Sequence, residues 1–303
     1  MGESEGTHPR DSAGLVGRSL AAPGDIRALP APDERPVAEV GLVVLRGDGP
    51  ARLAARAIAG LAGRWAPWPL LVAGEDEPVG RLPASVVDLA VDGLIDPDAP
   101  VQMGAKVGAN VGLATRVVAG LGRLNWLAGG TAVDQLSPAE VADRLEARLA
   151  HHGAEGTVAH VVRSIGRTLP IFHGGGPVGG ALADQARYQA NRHGKVVSWA
   201  AATPDLRHGE VCSWGQHGDV TRQVFTAVFL RGGHESAADG EALDRYVELL
   251  DEFVASVLVI EAGDGDPLVD TCVLAVLAEQ IGLGLALTEG YDPAPAPGLE
   301  WRV

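Results

Sequence analysis

Short, wholly apolar runs alternate along the chain with longer amphipathic stretches, and this pattern predicts strands and helices in turn. Short apolar runs bounded by turn residues are typical of strands buried on both faces of a parallel sheet. Stretches with apolar residues at every third or fourth position are typical of helices that pack on such a sheet. The predicted strands are Val40–Leu45, Leu70–Ala73, Val86–Val91, Leu169–Phe172, Lys195–Ala200, Gln223–Leu230 and Val257–Ala262. The predicted helices include Ala51–Gly63, one within residues 103–127, Thr157–Arg167, Val178–Arg192, one through Leu243, Val247, Leu250, Val254 and Val257, and Leu268–Glu289.

The alternation occurs twice, which predicts two α/β units, each a parallel sheet flanked by helices. Residues 1–36 are rich in Gly, Pro and charge and predict an N-terminal arm, in which the apolar stretch Leu15–Leu20 is a candidate docking helix. Residues 37–130 form the first predicted unit and residues 156–303 the second. Between them, residues 131–155 predict a connecting helix, because Ser137-Pro138-Ala139-Glu140 has the form of a capping box.

Charge and apolar run lengths exclude several classes of partner. The 24 Lys and Arg against 39 Asp and Glu give a net charge of −15, so nucleic acid and anionic membranes would repel the chain. The longest uninterrupted apolar run, Cys272–Ala278, has seven residues, whereas a membrane span needs about 18 or more. The acidic, polar start has no apolar region of a secretory signal. We therefore expect a soluble, cytoplasmic protein that binds neither nucleic acid nor membrane.

The two cysteines predict no metal centre. Cys212 and Cys272 lie far apart and match neither a C-x-x-C motif nor a zinc-ligand spacing. We expect both to be free thiols, as is usual in a reducing compartment. No metal and no cofactor is predicted.

A glycine-rich turn follows the strand that ends at Phe172. Gly174-Gly175-Gly176-Pro177-Val178-Gly179 fits the G-x-G-x-x-G pattern of a dinucleotide site. However, Pro177 lacks an N–H, and the next acidic residue that could bind a ribose, Asp205, follows Gly179 by 26 positions rather than about 20. Two alternatives remain, namely a tight turn that needs small residues and a contact of a helix N-terminus with a monoanion or a sugar phosphate. His173, which directly precedes the turn, is a candidate ligand contact.

His208 and Glu210 lie in the loop after the next predicted strand. Ligand sites in α/β proteins usually lie at the carboxyl ends of the strands. Histidine is the natural proton shuttle near neutral pH, and a carboxylate two positions away can act as a base. The pair is therefore a candidate catalytic site, although a lone histidine in a loop is more often simply solvated.

Several segments occur in an order and spacing that resemble a known family. They are Ile171–Gly176, Asn191-Arg192-His193-Gly194-Lys195, Pro204–Trp214, Val228-Phe229-Leu230-Arg231 and Gly290-Tyr291-Asp292-Pro293. The series resembles the bifunctional phosphoglucose/phosphomannose isomerase family, which is built from two sugar-isomerase (SIS) domains. The family has N-E-N-A-K, P-E-L-N-H-N-E-I-V-G-W, V-V-L-R-D and G-V-D-P at the matching places. The resemblance covers most of residues 155–295 and is only topological before them.

The resemblance implies two SIS domains of the α/β/α sandwich type, the first degenerate, in a homodimer whose sites lie at the dimer interface. It further implies a phosphorylated hexose as ligand, with His208 as the residue that opens the sugar ring. The family's proton-shuttling Glu falls on Arg192, whose guanidinium cannot act as a base. Glu210 is then a possible substitute base. The family's S-Y-S-G-N-T phosphate motif is absent, as is the lysine expected after Asp292-Pro293.

These observations predict an isomerase-like protein that interconverts glucose 6-phosphate or mannose 6-phosphate with fructose 6-phosphate, with weakened catalysis. The predicted catalytic residues are His208 and Glu210. The predicted substrate contacts are His173, Gly174, Gly175, Gly176 and Arg192. The alternative is a non-catalytic module that binds sugar phosphates. A nicotinamide-dependent oxidoreductase is a third hypothesis, which rests on the glycine turn alone.

Overall fold

A computed structural model describes residues 20–29, 42–46, 50–63, 66, 70–73, 86–90, 112–127, 136–152 and 156–294. Strands and helices alternate along the described chain, as the pattern of apolar runs predicts. The elements of the first part are α1 (Ala22–Arg27), β1 (Leu42–Arg46), α2 (Pro50–Ala62), β2 (Leu70–Ala73), β3 (Val86–Ala90), α3 (Leu113–Leu127) and α4 (Pro138–His152). Those of the second part are α5 (Val158–Ile165), β4 (Leu169–Gly174), α6 (Gly176–Arg192), β5 (Trp199–Ala202), α7 (Gly218–Val224), β6 (Phe225–Arg231), α8 (Ala237–Leu250), β7 (Ser256–Glu261) and α9 (Pro267–Thr288).

The described strands form two parallel sheets, which confirms the predicted α/β class. The first sheet has the strand order β2-β1-β3, and the second has the order β5-β4-β6-β7. All the described strand pairs are parallel. β4 lies inside the second sheet, where His173 is in register with Ala201 of β5 and Phe229 of β6. The carboxyl ends of β4, β5 and β6 therefore meet at one edge of this sheet.

One apolar cluster joins the two sheets. It includes Leu45 of β1, Ile58 of α2, Phe172 of β4 and Leu274 of α9, all of them fully buried. The helix α6 lies at its centre and packs on α2 and on α9. A second, smaller cluster covers the other face of the second sheet and includes Phe229.

Glycines bring the central helices unusually close together. A Cβ at Gly282 of α9 would lie 2.8 Å from the backbone of Gln189 in α6. A Cβ at Gly60 of α2 would lie 2.6 Å from Cγ2 of Val178, also in α6. Because neither approach leaves room for a methyl group, these glycines set the spacing of the helix layer.

Most predicted elements are present, with shifted ends. The helix predicted to run through Val254 and Val257 ends at Leu250, and Val257 belongs to β7. The predicted strand Lys195–Ala200 is wrong in its bounds, since β5 begins at Trp199. Lys195 has a φ of 58°, which lies outside the β region, and the Ser198 N–H donates to Oδ1 of Asn191 (2.8 Å) rather than to a strand. The predicted capping box is confirmed, since the Ser137 N–H donates to Oε2 of Glu140 (2.8 Å) at the start of α4.

Part of the predicted N-terminal arm is a docked helix. α1 packs on α4 and α3, and its Ile26 is fully buried. The stretch Leu15–Leu20, predicted as a docking helix, lies outside the described residues except for Leu20. The domain boundaries proposed from the sequence stay a prediction.

α9 has the length and apolar composition of a membrane-spanning helix. It contains 22 residues, and 72% of its most apolar window is buried inside the fold. It contacts α3, α4, α5 and α6, which is the position of a core helix in an α/β protein. The rule based on uninterrupted apolar runs missed this candidate because Glu279 and Gln280 interrupt the apolar run within the helix. The cytoplasmic location stays a prediction.

Replacing Gly282 with alanine should destabilise the fold, because the added methyl group would overlap the α6 backbone. Overpacking of this kind costs about 1–3 kcal/mol, measured as the free energy of unfolding in urea. The matched control is Gly122→Ala in α3, where an added Cβ meets nothing within 4 Å. This variant should be more stable than the parent by about 0.5–1 kcal/mol, because glycine is a poor helix former. Equal effects at the two positions would contradict this account of the helix spacing.

Candidate active site

His173 occupies the carboxyl end of β4 and is fully buried. Its ring stacks on Phe229 of β6, with centroids 4.7 Å apart. The ring of Tyr246 from α8 meets it edge-on at 5.5 Å. Packing on both sides therefore fixes the plane of the imidazole.

Glu210 reaches His173 from the loop after β5. It begins the 3₁₀ turn Glu210–Ser213, and its Oε1 lies 2.8 Å from Nε2 of His173. The Glu210 side chain is 19% exposed, whereas that of His173 is 0% exposed. One carboxylate thus contacts the interior of the second sheet and the solvent at its carboxyl edge.

Tyr246 and Trp214 complete this cluster, and sequence reasoning missed both. Nε1 of Trp214 donates a hydrogen bond to the Tyr246 hydroxyl (2.7 Å). Burial raises the pKa of Tyr246 above its ordinary value, and the negative charge of Glu210 and a hydrogen bond with it raise this pKa further. The phenol therefore stays protonated at neutral pH. In the sequence, the only signal for Tyr246 was the presence of a tyrosine among the aliphatic residues on one face of the predicted helix.

His208, the second predicted catalytic residue, shares the loop with Glu210 but not the buried cluster. It is exposed at the end of the 3₁₀ turn Asp205–Arg207, and its backbone N–H donates to the carbonyl of Asp205 (3.0 Å). The structure therefore brings Glu210 into contact with His173. His208, two positions before Glu210 in the chain, stays exposed to solvent.

The predicted glycine turn opens α6 and is closely packed. A Cβ at Gly174 would overlap the carbonyl oxygen of Gly179, and Gly176 has a φ of 65°. The Gly176 N–H donates to Oγ1 of Thr203 (2.8 Å), and the Thr203 hydroxyl donates to Asp239. One of the N–H groups that a ligand would need is therefore already bonded within the protein.

Two carboxylates from the start of α8 and the loop before it face this turn. A Cβ at Gly175 would lie 2.9 Å from Cγ of Glu235, and one at Gly176 would lie 3.0 Å from Oδ2 of Asp239. Burial raises the pKa of Glu235, although the hydrogen bond from Arg231 (2.9 Å) acts in the opposite direction. These carboxyl groups and the crowding at the turn disfavour a pyrophosphate there, and hence the dinucleotide hypothesis.

Arg192 lies at the other end of α6. The helix has 17 residues, or about 25 Å at the usual rise, so one chain does not bring Arg192 to Glu210. Next to it, Nζ of Lys195 donates to the carbonyl oxygens of Arg192 (2.9 Å) and Pro293 (3.1 Å). Burial lowers the pKa of Lys195 and of His193, and the positive charge of Arg192 lowers both further.

The described residues contain no cluster of three or more His, Cys, Asp or Glu side chains that could hold a metal ion. Cys212 is exposed and Cys272 is buried, and both are free thiols. Burial raises the pKa of Cys272, which makes this thiol unreactive.

Comparison with known proteins supports a family for the second part of the chain. Residues 157–300 match the family described as the bacterial phospho-glucose isomerase C-terminal SIS domain. The match supports a SIS domain of the phosphosugar isomerase family. It includes the glycine turn, Arg192, His208 and Glu210, and covers a little under half of the chain. A search among curated proteins finds no significant match.

Solved structures of low sequence identity share the fold over nearly the whole length. A glucose-6-phosphate isomerase like protein from Thermus thermophilus is 19% identical with a TM-score of 0.56, over 94% of each chain. Tagatose-6-phosphate ketose/aldose isomerase from Escherichia coli is 14% identical with a TM-score of 0.62, over 95% of this chain and 96% of that one. The C-terminal domain of glucosamine-fructose-6-phosphate aminotransferase from Francisella tularensis is 12% identical with a TM-score of 0.67, over 92% and 97%. These likenesses show a shared fold that includes the part of the chain with the first sheet.

Removing the Thr203 hydroxyl should destabilise the glycine turn. In Thr203→Val the Gly176 N–H loses its buried acceptor and Asp239 loses a donor, which costs about 1–3 kcal/mol. Thr203→Ser keeps the hydroxyl and is the matched control. The measurement is the free energy of unfolding in urea, and a valine variant as stable as the serine variant would contradict the role given to this hydroxyl.

Proposed function

We propose that the protein is a sugar-phosphate isomerase with weakened catalysis that converts glucose 6-phosphate or mannose 6-phosphate to fructose 6-phosphate. The observation that carries the proposal is the placement of Glu210. Its carboxylate is held at the carboxyl edge of the second sheet by His173 and keeps one side open to solvent. Ligands of open α/β sheets bind at this edge.

Glu210 would act as the base that moves a proton between two sugar carbons. The carboxylate takes the proton from C2 of the open-chain aldose, which leaves an enediolate. The hydroxyl proton of O2 passes to O1, and the same carboxyl group returns a proton to C1, which gives the ketose. Such a base must come within about 2.6–3.2 Å of the proton that it transfers. His208, exposed two residues before Glu210, would open the sugar ring by proton transfer to the ring oxygen.

The glycine turn would contact the hydroxyl groups of the sugar. Glu235 and Asp239 lie against Gly175 and Gly176, so a phosphate placed there would meet two carboxyl groups. Sugar hydroxyls, by contrast, can donate hydrogen bonds to carboxylates. His173, the remaining predicted contact next to the turn, would act through Glu210 because its ring is buried.

The phosphate would bind at Arg192, which requires a second chain. Arg192 and Glu210 lie at opposite ends of α6 in one chain. The resemblance to the isomerase family implies a homodimer with the site at its interface, and such a dimer would bring Arg192 of one protomer to Glu210 of the other. A guanidinium is well suited to bind a phosphate through two parallel hydrogen bonds.

A second candidate function is a non-catalytic module that binds a sugar phosphate. Arg192 favours it, because this arginine stands at the position where the resemblance implies the proton-shuttling glutamate. A guanidinium has no lone pair with which to accept the proton. The two functions share the ligand and differ only in turnover.

Calorimetry should detect binding of a hexose phosphate with a Kd in the millimolar range or tighter, and no binding of the free hexose. Gly175→Asp should weaken the binding, since the added side chain would crowd Glu235 and fill the space proposed for the sugar. Gly122→Asp, an exposed position in α3, is the matched control and should bind as the parent does. Equal, negligible heats for both compounds would contradict a sugar-phosphate ligand.

Turnover of fructose 6-phosphate should be at least about 100-fold slower than in an isomerase with the family's glutamate, because general acid–base help contributes about 10²–10⁴-fold. Glu210→Gln and His208→Ala should each abolish the remaining turnover in a coupled assay. His217→Ala, an exposed histidine nine residues further on, is the control and should leave turnover unchanged. Arg192→Glu should weaken binding of the sugar phosphate, because a carboxylate at this position would repel the phosphate.

Robust turnover that survives Glu210→Gln would show that the base lies elsewhere. Binding of the sugar phosphate to the parent protein without any turnover would favour the non-catalytic module.

A further inference from the structure

We propose that His173 and Tyr246 are positioning residues for Glu210, with His173 fixed as the neutral imidazole that carries its proton on Nε2. The role in catalysis rests on the proposed function, whereas the arrangement of hydrogen bonds does not. Neither residue is proposed to touch the sugar. Both would act by holding the Glu210 carboxylate at the sheet edge.

The contacts of His173 determine which nitrogen carries the proton. Nε2 lies 2.8 Å from Oε1 of Glu210, and an ionised carboxylate can only accept. Nε2 must therefore be the donor. Nδ1 is buried and has no hydrogen-bond partner among the described residues, so it is best left as a bare acceptor. A second proton there would create a buried N–H without an acceptor, which costs about 1–3 kcal/mol.

Tyr246 is oriented in the same way by a donor on its far side. The indole N–H of Trp214 donates to the Tyr246 oxygen (2.7 Å), and an indole can only donate. This hydrogen bond fixes the Tyr246 side chain, whose ring meets the imidazole of His173 edge-on at 5.5 Å. Tyr246 therefore helps to hold His173 in place, and through it Glu210.

A neutral donor suits a general base better than a cation would. None of the Lys and Arg side chains in the described part of the chain forms an ion pair with Glu210. The carboxylate is thus held in place without a positive charge that would reduce its basicity. Because His173 gains a second proton only at a cost, the proton that Glu210 takes from one carbon stays on Glu210. It is then available for return to the neighbouring carbon.

The first test is NMR on the full chain with ¹⁵N-labelled histidine. The His173 signals are assigned by their loss in His173→Gln. We expect the neutral form with the proton on Nε2, slow exchange of that proton with water, and a change in its shift in Glu210→Gln but not in Glu252→Gln. A proton on Nδ1, or a doubly protonated ring at neutral pH, would overturn the proposal.

The second test separates positioning from a merely structural role. His173→Gln keeps an N–H near the place of Nε2, whereas His173→Phe keeps a buried ring without the donor. We expect the phenylalanine variant to lower kcat about 100-fold, as misplacement of a base does, with KM changed little. The glutamine variant should recover much of that loss. His152→Gln, which alters another buried histidine, in α4, should leave kcat unchanged.

The third measurement is the pH profile of turnover in His173→Phe. Loss of the His173 donor to the carboxylate disfavours its ionised form, so the acid limb of kcat/KM should move to higher pH. An unchanged profile, or equal losses of kcat in the glutamine and phenylalanine variants of His173, would overturn the positioning role. If the parent protein neither isomerises fructose 6-phosphate nor exchanges its C1 hydrogen for deuterium, the proposed isomerase function fails. The NMR result still decides the hydrogen-bonded arrangement.

Discussion

The approach of the backbone at Gly174 to that at Gly179 fixes the position of α6, on which the rest of the fold depends. A side chain at Gly174 would overlap the carbonyl oxygen of Gly179, and one at Gly179 would lie 2.8 Å from the Gly174 carbonyl carbon. This contact ties the first turn of α6 to the end of β4, an inner strand. The helix then lies close enough to α2 and α9 for one apolar cluster to join both sheets.

The same contact explains why the glycine turn was ambiguous as a sequence motif. A G-x-G-x-x-G pattern requires small residues whether they approach a pyrophosphate or another part of the backbone. At Gly174 and Gly179, small residues are required because the two backbone segments approach each other closely. At Gly175 and Gly176 the neighbours are Glu235 and Asp239, which lie far along the chain. No local pattern could have shown that the space in front of this turn is lined by carboxyl groups.

The alternation of strands and helices could be predicted because parallel strands buried on both faces leave long apolar runs. The start of β5 could not, because the left-handed conformation of Lys195 leaves no mark in an apolar run. At the candidate site, the position of Glu210 after a strand was sufficient to select it. Its contact with His173 depends on the path of an irregular loop with two 3₁₀ turns. Tyr246 and Trp214 were missed for the same reason, since only the folded loop brings them together.

The distribution of charge shows how so acidic a chain would recognise an anion. Several arginines in the described part of the chain are used internally, in the ion pairs Arg56–Asp184, Arg144–Asp264 and Arg231–Glu235. Arg192 differs, because none of the described carboxylates pairs with its guanidinium. Its positive charge instead lowers the pKa of both His193 and Lys195, which means that the cations there disfavour one another.

A bound phosphate would remove this repulsion, because it would bring negative charge to the cations beside Arg192. Under the proposed function, Arg192 stands where the resemblance implies a glutamate. The position therefore lacks a base and instead supplies a cation for the phosphate. The work of the base then falls to a carboxylate that a neutral donor, His173, holds at the other end of the helix. Recognition of the anion and transfer of the proton would thus be divided between the two ends of α6, and two copies of the chain would be needed to bring them together.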